Sequence, residues 1–128
     1  MGEHQQARQL QTDALASLRR VLGEDHPETL HTASLLGLTL GSLGEHQQAR
    51  QLQTDTLTRY QRALGDNHPD TLTSASRLAT ELRELGEYQP ARALDEDTLA
   101  RRRRVLGNDH PDTLTSTANL AADQRGAP

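Results

Sequence analysis

Cysteine is absent from the 128 residues, which excludes disulfides, thiolate metal ligands and thiol catalysis. Phenylalanine and tryptophan are also missing, and aromatic residues make up only 2% of the chain. With 33% hydrophobic content, the length fits about one ordinary domain, whose core must be thin and built from leucine and alanine. A net charge of −4 and a pI near 5.8 supply no bulk field to attract nucleic acid or an anionic membrane. No stretch approaches the roughly 18 apolar residues of a membrane span. The opening "MGEHQQARQL" has no apolar run resembling a signal peptide, and Gln6 stands where the myristoylation pattern needs Ser or Thr. The expectation is a soluble, cytoplasmic chain.

What the sequence does have is a repeat. "LGEDHPETL" from Leu22 returns as "LGDNHPDTL" from Leu64 and "LGNDHPDTL" from Leu106, so that His26, His68 and His110 recur every 42 residues. The same shift relates Gly2, Gly44 and Gly86, and also Leu30, Leu72 and Leu114. "GEHQQARQLQTD" at Gly2 recurs letter for letter at Gly44, the mark of recent duplication or design. A fixed period of this size indicates a solenoid, with units here at 2–43, 44–85 and 86–128 of a single repeat domain. Within a unit, helical spacing relates Ala7, Leu10, Ala14, Leu18 and Val21, then Leu30, Ala33, Leu36, Leu40 and Leu43. Gly23 ends the first helix, where Arg19 and Arg20 complement its dipole, and the second runs from Pro27 to Gly44. Nothing has the alternation of a strand, so an all-α chain of about six helices is expected.

"LLGLTLGSLGEHQQARQLQTDTL" and "RLATELRELGEYQPARALDEDTL" resemble the tetratricopeptide repeat. The elements of the resemblance are Leu36-Gly37, Gly44, His46 and Ala49 in one unit, and Leu78-Ala79, Gly86, Tyr88 and Ala91 in the next. The family's usual period is about 34 residues; the extra length extends the family's second-type helix, here the one that ends at Gly23 and its equivalents, by about two turns. This longer unit is similar to the kinesin-light-chain type, also common in bacterial proteins beside nucleotide-binding signalling modules, and "ALDEDTLARRRRVLG" has a bacterial, high-GC composition. His4 and His46 replace the aromatic residue supplied by Tyr88, and Gln11, Gln53 and Asp95 stand where the family often has an aromatic, so looser helix packing is expected.

The resemblance implies a right-handed α-solenoid, non-catalytic and without cofactor, that binds a protein or peptide partner in a concave groove lined by the family's first-type helix; the chain opens on a second-type helix, so the first-type helix is the one that starts at Pro27 and its equivalents. By position, the lining is His31, Ser34, Leu35, Leu38 and Ser42, then Thr73, Ser76, Arg77, Thr80 and Glu84, then Thr115, Ala118 and Asn119. Family members that grip acidic or C-terminal groups carry an Asn at the place held here by Leu35, Arg77 and Asn119. Leu35 and Leu38 are the expected apolar anchors, with Arg77, Arg83 and Asn119 as polar selectors.

The remaining motifs favour structural roles. Zinc ligands converge within about 2.0–2.2 Å of one point, whereas equivalent histidines in stacked hairpins stand about one hairpin width apart, at most twice the helix spacing of about 8–10 Å. His26, His68 and His110 therefore read as helix punctuation, with Asp25, Asn67 and Asp109 as acceptors for turn or cap N–H groups. Arg101–Arg104 spread around a helix rather than forming a phosphate-tracking stripe, although Arg102 takes the place of apolar Leu18 and Tyr60 and so lies over the helix seam or faces an acidic partner. Asp95 and Asp97 point apart, and no glycine-flanked serine or phosphate loop is present. Two other roles stay open: a sensor or regulatory fragment of a bacterial signalling protein, favoured by incomplete terminal repeats, and end-to-end self-assembly through uncapped faces at Gln5–Leu22 and Leu114–Ala122.

Overall fold

The computed structural model describes residues 2–126. Met1, Ala127 and Pro128 lie outside the described residues, so the third expected unit is covered only to Gly126. The described chain is helical throughout: α1 Gly2–Val21, α2 Pro27–Ser42, α3 His46–Leu64, α4 Pro69–Glu84, α5 Tyr88–Leu106 and α6 Pro111–Gly126. No strand occurs among the described residues.

Helix starts and stops follow the repeated motif, with one correction. Proline opens α2, α4 and α6, where its missing N–H costs no intrahelical bond. The preceding histidine is extended, at φ −68° and ψ 138° for His26, and it caps the helix itself. The Nδ1 atoms of His26, His68 and His110 accept from the backbone N–H groups of Glu28, Asp70 and Asp112 at 3.1, 3.1 and 3.0 Å. Asp25 and Asn67, expected as caps, instead reach the next unit: their Oδ1 atoms accept from Arg59 and Arg101 Nη1 at 2.9 and 2.8 Å. A carboxylate or amide one residue before the histidine is better placed to meet the following long helix than the N–H groups of its own. At Gly65, φ of +90° turns the chain out of α3 while its N–H bonds Gln61 O, a conformation costly for any side chain.

The core consists of two leucine-alanine clusters. Leu15, Ala33, Leu36, Leu40 and Ala49 form the first, and Leu57, Ala75, Leu78, Leu82 and Ala91 the second, with Leu52 and Leu94 packed against them in turn. The stripe expected on α2 is the observed one, but that on α1 is not. Leu15 is buried, whereas Leu10 and Val21 are 70% and 72% exposed and Ala14 is also exposed. On the long helices the buried register is that of Ala49, Gln53, Leu57 and Tyr60 on α3 and of Ala91, Asp95, Leu99 and Arg102 on α5. Gln11 holds the corresponding place on α1. Polar residues at core positions hid this stripe from an apolar count. Leu52 and Leu94 flank it and lean on the preceding hairpin, a support that Leu10 does not have.

The helices form two rows. Neighbours α2, α4 and α6 approach one another directly, while α1, α3 and α5 nowhere come within 8 Å between Cα atoms. The stack therefore curves with the shorter helices inside. The outer helices are tied near both ends by repeat-related contacts: Arg8 to Glu45 at 2.7 Å and Arg50 to Glu87 at 2.6 Å, complementing the Arg59–Asp25 and Arg101–Asn67 bonds. Exposed ion pairs of this kind contribute about 0.2–1 kcal/mol each.

Candidate binding groove

Because every inner helix begins at the same Pro, equivalent side chains line up across α2, α4 and α6. His31, Leu38, Ser42, Glu84, Thr115 and Ala118 are exposed on this row, and Leu35, Thr73, Ser76, Arg77, Thr80, Arg83 and Asn119 are half-buried. Ser34 is buried at 2% exposure. Its Oγ donates to Gln53 Oε1 at 3.3 Å and accepts from Arg77 Nη1 at 2.8 Å, so it supports the groove floor rather than lining it. One repeat later Asn119 Nδ2 donates to Ser76 Oγ at 3.1 Å. Arg77 and Asn119, expected as selectors, are thus rungs of one polar ladder joining adjacent inner helices. Leu38, at 46% exposure, is the more open of the two expected anchors.

Beside Leu38 the seam between α2 and α4 opens into a cavity of about 400 Å³. Leu38, Gly41 and Ser42 form one wall, Thr80, Glu81 and Glu84 the other, and His46 at the start of α3 closes one end. His46 Nδ1–H donates to Glu81 Oε1 at 2.8 Å, and Glu81 is only 4% exposed. Neither His46 nor Glu81 stands among the sequence-based groove residues. A signal for His46 was present, because it occupies the aromatic place of the repeat. Glu81, lying between the buried Leu78 and Leu82, reads as a solvated position from the sequence.

Arg83 does not face the groove as a free selector. Its Nη1 donates to Asp123 Oδ1 at 2.6 Å and to Asn119 O at 3.5 Å, and stands 3.7 Å from Asp95 Oδ2. Asp95 and Asp123 are 1% and 0% exposed. Burial pushes the Asp95 carboxyl up to about 8, reinforced by a hydrogen bond with Asp123 and its negative charge, while Arg83 and Arg102 act against the shift. This pair repeats, in ionisable form, the bond of Thr39 Oγ1 to Gln11 Oε1 at 2.8 Å in the first hairpin. It is closed to any substrate. Asp97 points away from it to Arg101, as expected, at 2.8 Å.

Arg102 is buried at 5% exposure, and its Nη1 donates to Ser116 Oγ at 2.8 Å and to Asp112 O at 3.1 Å, fastening α5 to α6. Desolvation lowers its pKa, with Asp112 and Asp95 opposing. Among the described residues no three His, Asp or Glu side chains assemble into a metal-binding group.

Two family models, both described as tetratricopeptide repeat, match residues 1–62 and 71–112. The chain is similar to the crystal structure of kinesin light chain nearly identical TPR-like repeats from Podosopora anserina, at 27% identity and a TM-score of 0.92 over 98% of this chain and 59% of that one. It also superposes on BtubC (BKLC) from P. vanneervenii with a TM-score of 0.88, at 19% identity, over 98% of this chain and 50% of that one, a likeness of fold. No curated protein matches the sequence. The chain thus spans between half and three fifths of these solved relatives.

Proposed function

Because the chain belongs to the tetratricopeptide-repeat family, of kinesin-light-chain-like type, we propose that it is a non-catalytic scaffold that binds a protein or peptide partner along the inner row α2, α4 and α6. Tetratricopeptide repeats are typically protein-interaction scaffolds. The observation that carries the groove reading is the half-exposed Leu38 in the wall of a cavity on the inner row. An apolar anchor beside polar groups is the usual anatomy of a binding surface. Leu35, Thr73, Thr80 and Glu84 extend the surface on either side. Residues 2–43, 44–85 and 86–128 are taken as three units of one repeat domain acting in the cytoplasm of a bacterium. No helix of the described chain is long and apolar enough to cross a membrane.

The test is selection of a random peptide library on the full chain, followed by titration of enriched peptides into isotope-labelled protein. Resonances of α2, α4 and α6 are expected to shift. Shifts confined to α1, α3 and α5, or no enrichment at all, contradict the reading.

Exposed leucines favour a second reading, head-to-tail stacking. Leu30 and Leu72 are 2% and 3% exposed, yet their equivalent Leu114 is 56% exposed on α6, and Leu10 is 70% exposed on α1. One copy's Leu114 face suits another copy's Leu10 face as successive hairpins suit each other. Whether the repeats regulate a neighbouring nucleotide-binding module in a longer protein is a third proposal, decided by the adjoining gene sequence.

A further inference from the structure

The two seams of the inner row carry the same positions with different chemistry. In the seam of α4 and α6, Arg83 places its guanidinium 2.6 Å from the buried carboxyl of Asp123. One repeat earlier, in the seam of α2 and α4, Asp123 corresponds to Glu81 and Arg83 corresponds to Gly41. The carboxyl is present and the guanidinium is not. Glu81 Oε1 accepts from His46, while Oε2 turns to Gly41, so close that a Cβ there would overlap it at 2.2 Å. No donor among the described residues bonds Oε2, and the cavity of about 400 Å³ opens at this point, with Glu84 on its rim.

We propose that this cavity receives a cationic side chain of the partner, an arginine or a lysine, whose guanidinium or ammonium group takes beside Glu81 the place that Arg83 takes beside Asp123. A carboxyl that is 4% exposed and bonded by one imidazole leaves acceptor capacity that a charge-assisted bond satisfies. Leu38 on the adjoining wall packs the aliphatic stem of such a residue. Glu84 adds attraction at the rim, and the formal net charge of −4 favours the approach of a basic segment. His46 holds the Glu81 carboxyl in position and is a positioning residue. The proposal rests on the groove reading above and names the chemistry that the groove selects.

The probes are N-acetyl-arginine amide and its neutral isostere N-acetyl-citrulline amide, titrated into the full chain while the resonances of Gly41, His46 and Thr80 are followed. The arginine amide is expected to shift them saturably, the citrulline amide at least tenfold more weakly, and Glu81→Gln to remove the difference. A Gly41→Arg/Glu81→Asp double variant transplants the second seam into the first; with helical content unchanged by circular dichroism, it is expected to lose the arginine response. Equal responses to the two amides, no response to either, or an arginine preference that survives Glu81→Gln overturns the proposal. If library-selected peptides still shift the inner row in that case, the groove reading stands alone. If none do, it falls as well.

Discussion

Arg83 Nη1 donates to Asp123 Oδ1 at 2.6 Å across the seam of α4 and α6, and Asp123 is wholly buried. The apolar face of α6 is sparse, because Leu114 is exposed and Thr113, Ser116 and Asp123 are its buried residues. Arg83→Ala leaves a buried carboxyl without its cation, an arrangement that typically costs about 3–5 kcal/mol. Urea unfolding is expected to show a loss of this order. A change under about 1 kcal/mol would place the pair among ordinary surface ion pairs.

Asp95 gives the fold a pH dependence of unusual sign. Its carboxyl is raised to about 8 by burial beside Asp123, against about 3.9 in an unfolded chain. The folded state therefore holds a proton that the unfolded state releases between these values. Its stabilisation is complete below about 4 and is lost as pH rises through about 8. Asp95→Asn keeps a donor in that place without a titrating group. The melting temperature of the variant relative to wild type is expected to climb from pH 5 to pH 8 and to level off above. A difference constant with pH contradicts the assignment.

The repeated histidines are caps, so their chemistry is local. His68→Ala removes the bond from Asp70 N–H to Nδ1 and is expected to destabilise by about 0.5–2 kcal/mol, with His68→Asn recovering most of it. Thermal melts of the pair check this. Equilibrium dialysis against zinc is expected to find no tight stoichiometric site, and one retained ion per chain would reverse the interpretation.

Stacking makes its own prediction. If Leu114 and Leu10 meet between copies, light scattering grows with concentration, and Leu114→Lys abolishes the growth. A particle of monomer mass at every concentration removes the second reading.

Where the sequence was legible, chemistry and position agreed. The stripe of α2 could be read from Leu30, Ala33, Leu36 and Leu40 because these four apolar residues are all buried. On α1 the apolar spacing points to Leu10, one residue from the buried register, because Gln11 occupies the core place and its neighbour carries the hydrophobicity. Arg102 announced itself by standing where Leu18 and Tyr60 stand, and its burial between α5 and α6 explains the substitution. Arg77 and Asn119 stand on the inner row, but their bonds to Ser34 and Ser76 depend on how closely two helices from different repeats approach. Spacing along one chain does not contain that distance. Glu81 was missed for the same reason: its burial comes from Gly41, forty positions earlier on a neighbouring helix.

The proposed binding face, the inner row of α2, α4 and α6, is tested by titrating library-selected peptides into isotope-labelled protein. Shifts concentrated on Leu35, Leu38, Thr73, Thr80 and Glu84, and abolished by Leu38→Asp, are the expected result. Selected peptides that bind as tightly to Leu38→Asp and shift only residues of α1, α3 and α5 would contradict it.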